Sequence, residues 1–163
     1  MRFEKISFTR FVSDFASAAP VGMTAQSLYD ALRLPERATK HSAGYDFFAP
    51  FPISLAPGEF MTVPTGIRAI LDDDKFLAIY PRSGLGFKYR LQLFNTVGII
   101  DADYAQSDNE GHIFVKIMNS SPEGKTVEIK QGEAFCQGII QQYFLVDGDN
   151  ASNTRNGGLG STT

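Results

Sequence analysis

Asp101, Asp103 and Tyr104 put two carboxylates and a phenol within a short run of chain, and two other segments gather the residue types that hold anions. Pro81-Arg82-Ser83-Gly84-Leu85-Gly86 offers a guanidinium, a hydroxyl and backbone amides beside glycines, and the final stretch from Arg155 to Thr163 offers the same set again. Glycine lets a backbone N–H approach a phosphate oxygen with no Cβ in the way. Ser161 and Thr162 add hydroxyl donors, and Arg155 can fork two N–H groups onto one phosphate. Taken singly, each segment has a plainer reading: Arg82 as a surface ion pair, Asp101 and Asp103 as turn residues, Tyr104 as a half-buried core ring, the tail as solvated chain. Taken together they describe two anion-binding segments and a carboxylate pair between them.

Such side chains need elements to aim them. The apolar run Phe76 to Tyr80 reads as a strand feeding the turn at Arg82, and Asn95 to Tyr104 reads as two short strands pinched at Gly98, a hairpin with the carboxylates at one end. Further strands are predicted at Arg2 to Ile6, Phe60 to Val63, Ile67 to Leu71, Ile113 to Met118, Thr126 to Ile129 and Gly138 to Leu145, punctuated by Pro, Gly, Asp and Asn. Near the start, Phe8, Phe11, Val12 and Phe15 recur at helical spacing behind Ser7 as a cap, and a second helix is predicted from about Thr24 to Leu32. Many short strands at close spacing point to a sandwich or barrel. Asp72-Asp73-Asp74 reads as a solvated turn, and His41 and His112 as surface or hairpin-edge residues.

A chain of 163 residues is the size of one ordinary domain, and its formal charge of −3 comes without a basic run, which argues against a nucleic-acid surface and for a small nucleotide as the anion. Cys136 is the single cysteine, so no internal disulfide framework is expected. The sequence shows neither a signal peptide nor an apolar stretch long enough to span a bilayer, which fits a reducing cytoplasm.

In order and spacing, the chain resembles the trimeric dUTPase family from about Leu34 to the C-terminus. His41-Ser42-Ala43-Gly44-Tyr45-Asp46-Phe47 resembles its first motif, Pro81 to Leu85 the second, Asn95 to Tyr104 the third, Gly132 to Ile139 the fourth and Arg155 to Thr162 the fifth. The resemblance implies an all-β distorted jelly roll with one or two short N-terminal helices, assembled as a homotrimer with its sites between subunits. It implies a single domain, 1–163, made of an N-terminal extension (1–33), a β core (34–149) and a flexible Gly-rich arm (150–163) closing over the active site.

It also implies hydrolysis of dUTP to dUMP and pyrophosphate by in-line attack of water on the α-phosphorus, with Mg²⁺ on the triphosphate and Asp101 as the base. Asn95, Gly98, Ile100, Tyr104 and Leu159 would surround base and sugar, Tyr104 excluding a ribose 2′-hydroxyl. Arg82, Ser83, Gly84, Gln137, Arg155, Gly160, Ser161 and Thr162 would hold the phosphates. Asp46 would organise the metal side through water.

Three features depart from the family pattern. Leu159 stands where a phenylalanine usually closes over the base, forfeiting stacking of about 1 kcal/mol. Residues 105–112 form an inserted loop of phage-like type, leaving open whether Asp108 or Glu110 touches the site. The amino-terminal stretch is longer than the family needs, and reads as a cap over core edges. Two rival functions stand beside hydrolysis: a dCTP deaminase on the same fold, and a nucleotide-gated regulator that binds a protein partner.

Overall fold

Alternating apolar residues with little helix propensity produce a chain of short strands, and the computed structural model, which describes residues 1–15, 22–155 and 157, arranges them in four small antiparallel sheets. β1 (Arg2–Lys5) pairs with β5 (Ile67–Ile70), and β3 (Ile53–Leu55) pairs with β10 (Val127–Ile129). β9 (Phe114–Asn119) lies between β4 (Phe60–Pro64) and β7 (Leu91–Leu93). The largest sheet runs β2 (Tyr45–Phe48), β11 (Ala134–Gln142), β6 (Lys75–Pro81), β8 (Gly98–Asp101). Leu77, Ile79, Phe47, Phe135 and Cys136 from this sheet meet Val63, Val115, Ile117 and Val127 in one core. This is the mostly-β distorted jelly roll expected.

Two short helices lie between β1 and β2, as the apolar spacing requires. α1 (Phe8–Phe15) starts at Ser7, whose hydroxyl accepts from the Arg10 amide at 3.2 Å, and α2 (Ala25–Ala31) starts at Thr24, whose Oγ1 accepts from the Ser27 amide at 3.1 Å. Phe11 and Phe15 are fully buried and stacked at 3.8 Å, so the amino-terminal extension closes one end of the core with two large rings. Each such ring contributes roughly 2 kcal/mol by burial.

Four expectations need correction. The turn after β6 is a helix, α3 (Ser83–Tyr89), despite Gly84 and Gly86; tertiary context overrides their poor helix propensity, and Arg90 ends it at φ 53°. Asn95 to Tyr104 is not a hairpin. Buried Leu91 and Leu93 carry β7 to β9, while Gly98–Asp101 finds its partner in β6, so the turn at 94–97, with Thr96 at φ 65°, crosses between sheets. β11 stops at Gln142, leaving Phe144, Leu145 and Val146 outside it and strongly exposed. His112 is completely buried instead of lying at the surface.

Candidate functional site

β6 is the spine of the site, with one group of candidate residues at each end. At its start, Phe76 is in register with Asp101, the last residue of β8. Chain continuing from Asp101 winds into a 3-10 turn, Ala102–Gln106, which carries Asp103 outward and Tyr104 inward. Arg155 reaches back to both carboxylates: its Nε donates to Asp103 Oδ1 at 2.7 Å and its Nη2 donates to Asp101 Oδ2. Asp103 therefore shares Arg155 with Asp101. Asn95, Gly98, Ile100, Asp101, Tyr104 and Arg155 line one cavity of about 430 Å³. Thus the third motif and the start of the fifth come together in one chain.

Tyr104 is 7% exposed, and its ring forms part of that cavity wall while its hydroxyl is tied behind it. The hydroxyl donates to the His112 carbonyl and accepts from Asn109 Nδ2, both at 2.8 Å. Burial raises the phenol's pKa above its ordinary value, which keeps the proton on oxygen for that bond. Glu110 turns away from the cavity to Ser7, accepting from its amide at 2.8 Å and its hydroxyl at 2.6 Å, which lowers the Glu110 pKa.

At the other end of β6, Arg82 follows Pro81 and donates from Nη1 to Asp46 Oδ2 at 2.9 Å. Asp46 is on β2, in register with Gln137 on β11, which is in register with Tyr80 on β6. Gln137 Nε2 donates to the Pro81 carbonyl at 3.2 Å, fixing the strand end from which Arg82 projects. Gly44 lets the first motif approach the fourth, since a Cβ there would collide with Gln137 Oε1. Ser83 and Gly84 are exposed at the start of α3, and a Cβ on Gly84 would meet nothing within 4 Å. Arg82 and Gly84 line a second cavity, of about 380 Å³, with Lys88, Tyr89, Glu128 and Glu133.

These two cavities share no residue. From Asp46 to Asp101 the sheet is crossed by three strand spacings and traversed by four residues, Tyr80 to Phe76, a separation of about 20 Å. One phosphate cannot touch both.

Among the described residues no group of three or more His, Cys, Asp or Glu side chains is placed to hold a metal ion. Asp46 offers hard carboxylate oxygens, one of them engaged by Arg82. That suits a strongly hydrated cation held mainly by a polyphosphate, with one carboxylate beside it, and does not suit an all-protein cage.

Of the sequence-predicted residues, Asn95, Gly98, Ile100, Asp101, Tyr104 and Arg155 converge at one end, and Arg82, Ser83, Gly84, Gln137 and Asp46 at the other. Leu159, Gly160, Ser161 and Thr162 lie outside the described residues. Sequence reasoning missed Asn109 and buried His112. The available signal was Asn109-Glu110-Gly111, a turn tripeptide in which Glu110 and Gly111 both take positive φ, 61° and 74°.

The chain as a whole is similar to known proteins. A family model described as dUTPase matches residues 30–163. A deoxyuridine 5'-triphosphate nucleotidohydrolase of Lactococcus lactis is 42% identical over 134 residues, covering 80% of this chain and 88% of its own length. The crystal structure of dUTPase from Streptococcus mutans superposes with a TM-score of 0.68 at 32% identity, over 91% of this chain and 100% of that one. A mutant dUTPase from phage phi11 of S. aureus, described for its coordination of a structural Mg(II) ion, superposes with a TM-score of 0.61 over 76% of this chain and 92% of that one. Its identity is 22%, a likeness of fold alone.

Proposed function

The chain belongs to the dUTPase family and hydrolyses dUTP, and from that premise we propose how its residues divide the work. The single observation that carries the reading is the placement of Asp101 and Arg82 at opposite corners of one sheet, in separate cavities. A carboxylate that orients a water must be within hydrogen-bond reach of it, and that water must be within roughly 3 Å of the phosphorus. A span of about 20 Å between the carboxylate end and the arginine end exceeds this. Each active site therefore takes its Asp101 end from one copy of the chain and its Arg82 end from another. A homotrimer with sites between subunits satisfies this, and exposed Phe144, Leu145 and Val146 beyond β11 suit burial against a neighbouring copy.

Within that site Asp101 orients the water that attacks the α-phosphorus, giving dUMP and pyrophosphate. Arg155 leaves Asp101 for the phosphates as substrate enters. Arg82, Ser83, Gly84 and Gln137 from the other copy neutralise and position the triphosphate, joined by Gly160, Ser161 and Thr162 of the arm. Mg²⁺, when bound to the triphosphate, neutralises charge on the oxygens that become pyrophosphate. Asp46 would hold that ion through water, and it keeps Arg82 in place through their ion pair. Asn95 and the amides near Gly98 read the uracil edge, Ile100 and the Tyr104 ring pack against the deoxyribose, and Leu159 covers the base. The domain organisation is one unit, with residues 150–163 as its arm. We assign the amino-terminal segment to contacts within the fold and not to a regulatory partner. No helix among the described residues is long and apolar enough to cross a membrane, and we place the reaction in the cytoplasm.

Pyrophosphate release with Mg²⁺ from dUTP, dCTP, dTTP and UTP tests the division of roles, with Asp101→Asn alongside. Turnover confined to dUTP and lost in the variant is expected. Ammonia release from dCTP would overturn the reading in favour of the deaminase. Binding of dUTP without turnover would overturn it in favour of the nucleotide-gated regulator.

A further inference from the structure

The chemistry above uses neither α1 nor the inserted loop, yet the two are bonded to each other and, through the loop, to Tyr104. Ser7 at the start of α1 gives its amide and hydroxyl to Glu110. A helix normally finds that reciprocal carboxylate at its own third residue; here the third residue is Arg10, and the carboxylate comes from a loop 103 positions away. At the far end of α1, Asp14 Oδ2 meets His112 Nδ1 at 2.6 Å, and Arg10 Nη2 pairs with Asp14 Oδ1 at 2.9 Å.

His112 is held from both sides. Its Nε2 accepts from the Gly66 amide at 2.8 Å, so the proton sits on Nδ1 and is donated to Asp14. This fixes the backbone of residue 112, whose carbonyl is the acceptor for the Tyr104 hydroxyl. Asn109 closes the same circuit: its Oδ1 accepts from the Gly111 amide at 3.1 Å, leaving Nδ2 to donate to the Tyr104 hydroxyl. Gly111 has φ 74°, and a Cβ there would lie 2.9 Å from the Tyr104 carbonyl, so the loop is seated directly on the turn that carries the ring.

We propose that α1 and residues 107–112 form a clasp that sets the position of the Tyr104 ring, with Asn109 and His112 as positioning residues acting through Tyr104 and Asp14 as their anchor on α1. The proposal rests on the reading that Tyr104 faces the sugar. Exclusion of a 2′-hydroxyl by a ring is steric, so it is only as sharp as the ring is immobile. A phenol bonded both as donor and as acceptor cannot retreat to admit an extra oxygen. The additional amino-terminal chain thus sharpens the choice of deoxyribose over ribose.

Steady-state kcat/KM for dUTP and UTP, measured in parallel on the full chain, tests this with Asn109→Ala, Asp14→Asn and Tyr104→Ala, each checked for folding by circular dichroism. Asn109→Ala and Asp14→Asn are each expected to lower the dUTP to UTP selectivity ratio about tenfold, mostly by admitting UTP, while kcat for dUTP changes little. A merely structural role would lower the melting temperature and leave that ratio alone. An unchanged ratio in both, with Tyr104→Ala collapsing it, would overturn the clasp and leave the sugar reading standing. An unchanged ratio in Tyr104→Ala would overturn the sugar reading and the clasp with it. Should Asp14→Asn not fold, Glu110→Ala releases the other end of α1 by removing the acceptor of both Ser7 bonds, and is read by the same ratio.

Discussion

The two ends of β6 are held in different ways. Around Arg82 the support is local to the sheet: Asp46, Gln137 and Pro81 are neighbours across three adjacent strands, and their alignment follows from strand register. Around Asp101 the support comes from far away in sequence, through Arg155 and through a loop tied to α1 by contacts 98 and 103 residues apart. In the proposed division of roles, the end that holds phosphate needs fixed charge at a fixed strand end, which a sheet supplies by itself. The end proposed to place a water and discriminate a sugar would draw on a side-chain network, which a loop and a helix supply here.

The largest effect should follow from removing the carboxylate charge. Asp101→Asn is expected to lower kcat by about 10²- to 10⁴-fold while the affinity for a non-hydrolysable dUTP analogue is kept, as calorimetry on the same preparation would read. A loss of binding in place of turnover would mean that this end holds phosphate as well, and the contrast between the ends would dissolve. At the other end, Arg82→Lys keeps the charge but not the planar fork that engages Asp46, and should cost about tenfold or more in kcat/KM. Full activity in that variant would show that only charge matters there.

The smallest effect separates the ends by pH. Burial lowers the His112 pKa from its ordinary 6.5, against the opposing pull of the Asp14 carboxylate; Arg10 and Glu110 are the other charges acting on it. Because the unfolded chain takes the proton first, stability from this group is complete above about pH 6.5 and is lost as pH falls from there toward the lowered folded value. Thermal unfolding across this range should show that decline, and His112→Gln should flatten it.

Much of this was legible in the sequence, for physical reasons that differ by element. β4, β5, β6 and β9 carry short apolar runs along strands of four to seven residues, and the cap at Ser7 is a local interaction, so all were expected within a residue or two. β3 and β7, at three residues each, are too short to show a period. α3 was hidden by its two glycines. The false hairpin came from treating neighbours in sequence as partners, when Gly98–Asp101 pairs with β6. Motif residues were legible because they cluster, but burial of His112 depends on Asp14 and Gly66, 98 and 46 positions away, and no local pattern signals it.

Subunit mixing tests the central claim most directly, that one site draws its two ends from two copies of the chain. Asp101→Asn and Arg82→Ala chains, each prepared alone, should be nearly inactive toward dUTP. Denatured together and refolded as a mixture, they should regain pyrophosphate release, because some sites then combine an intact Asp101 from one copy with an intact Arg82 from its neighbour. A mixture that assembles into mixed oligomers yet stays as inactive as either parent would contradict the account, since both residues would then have to act from the same chain.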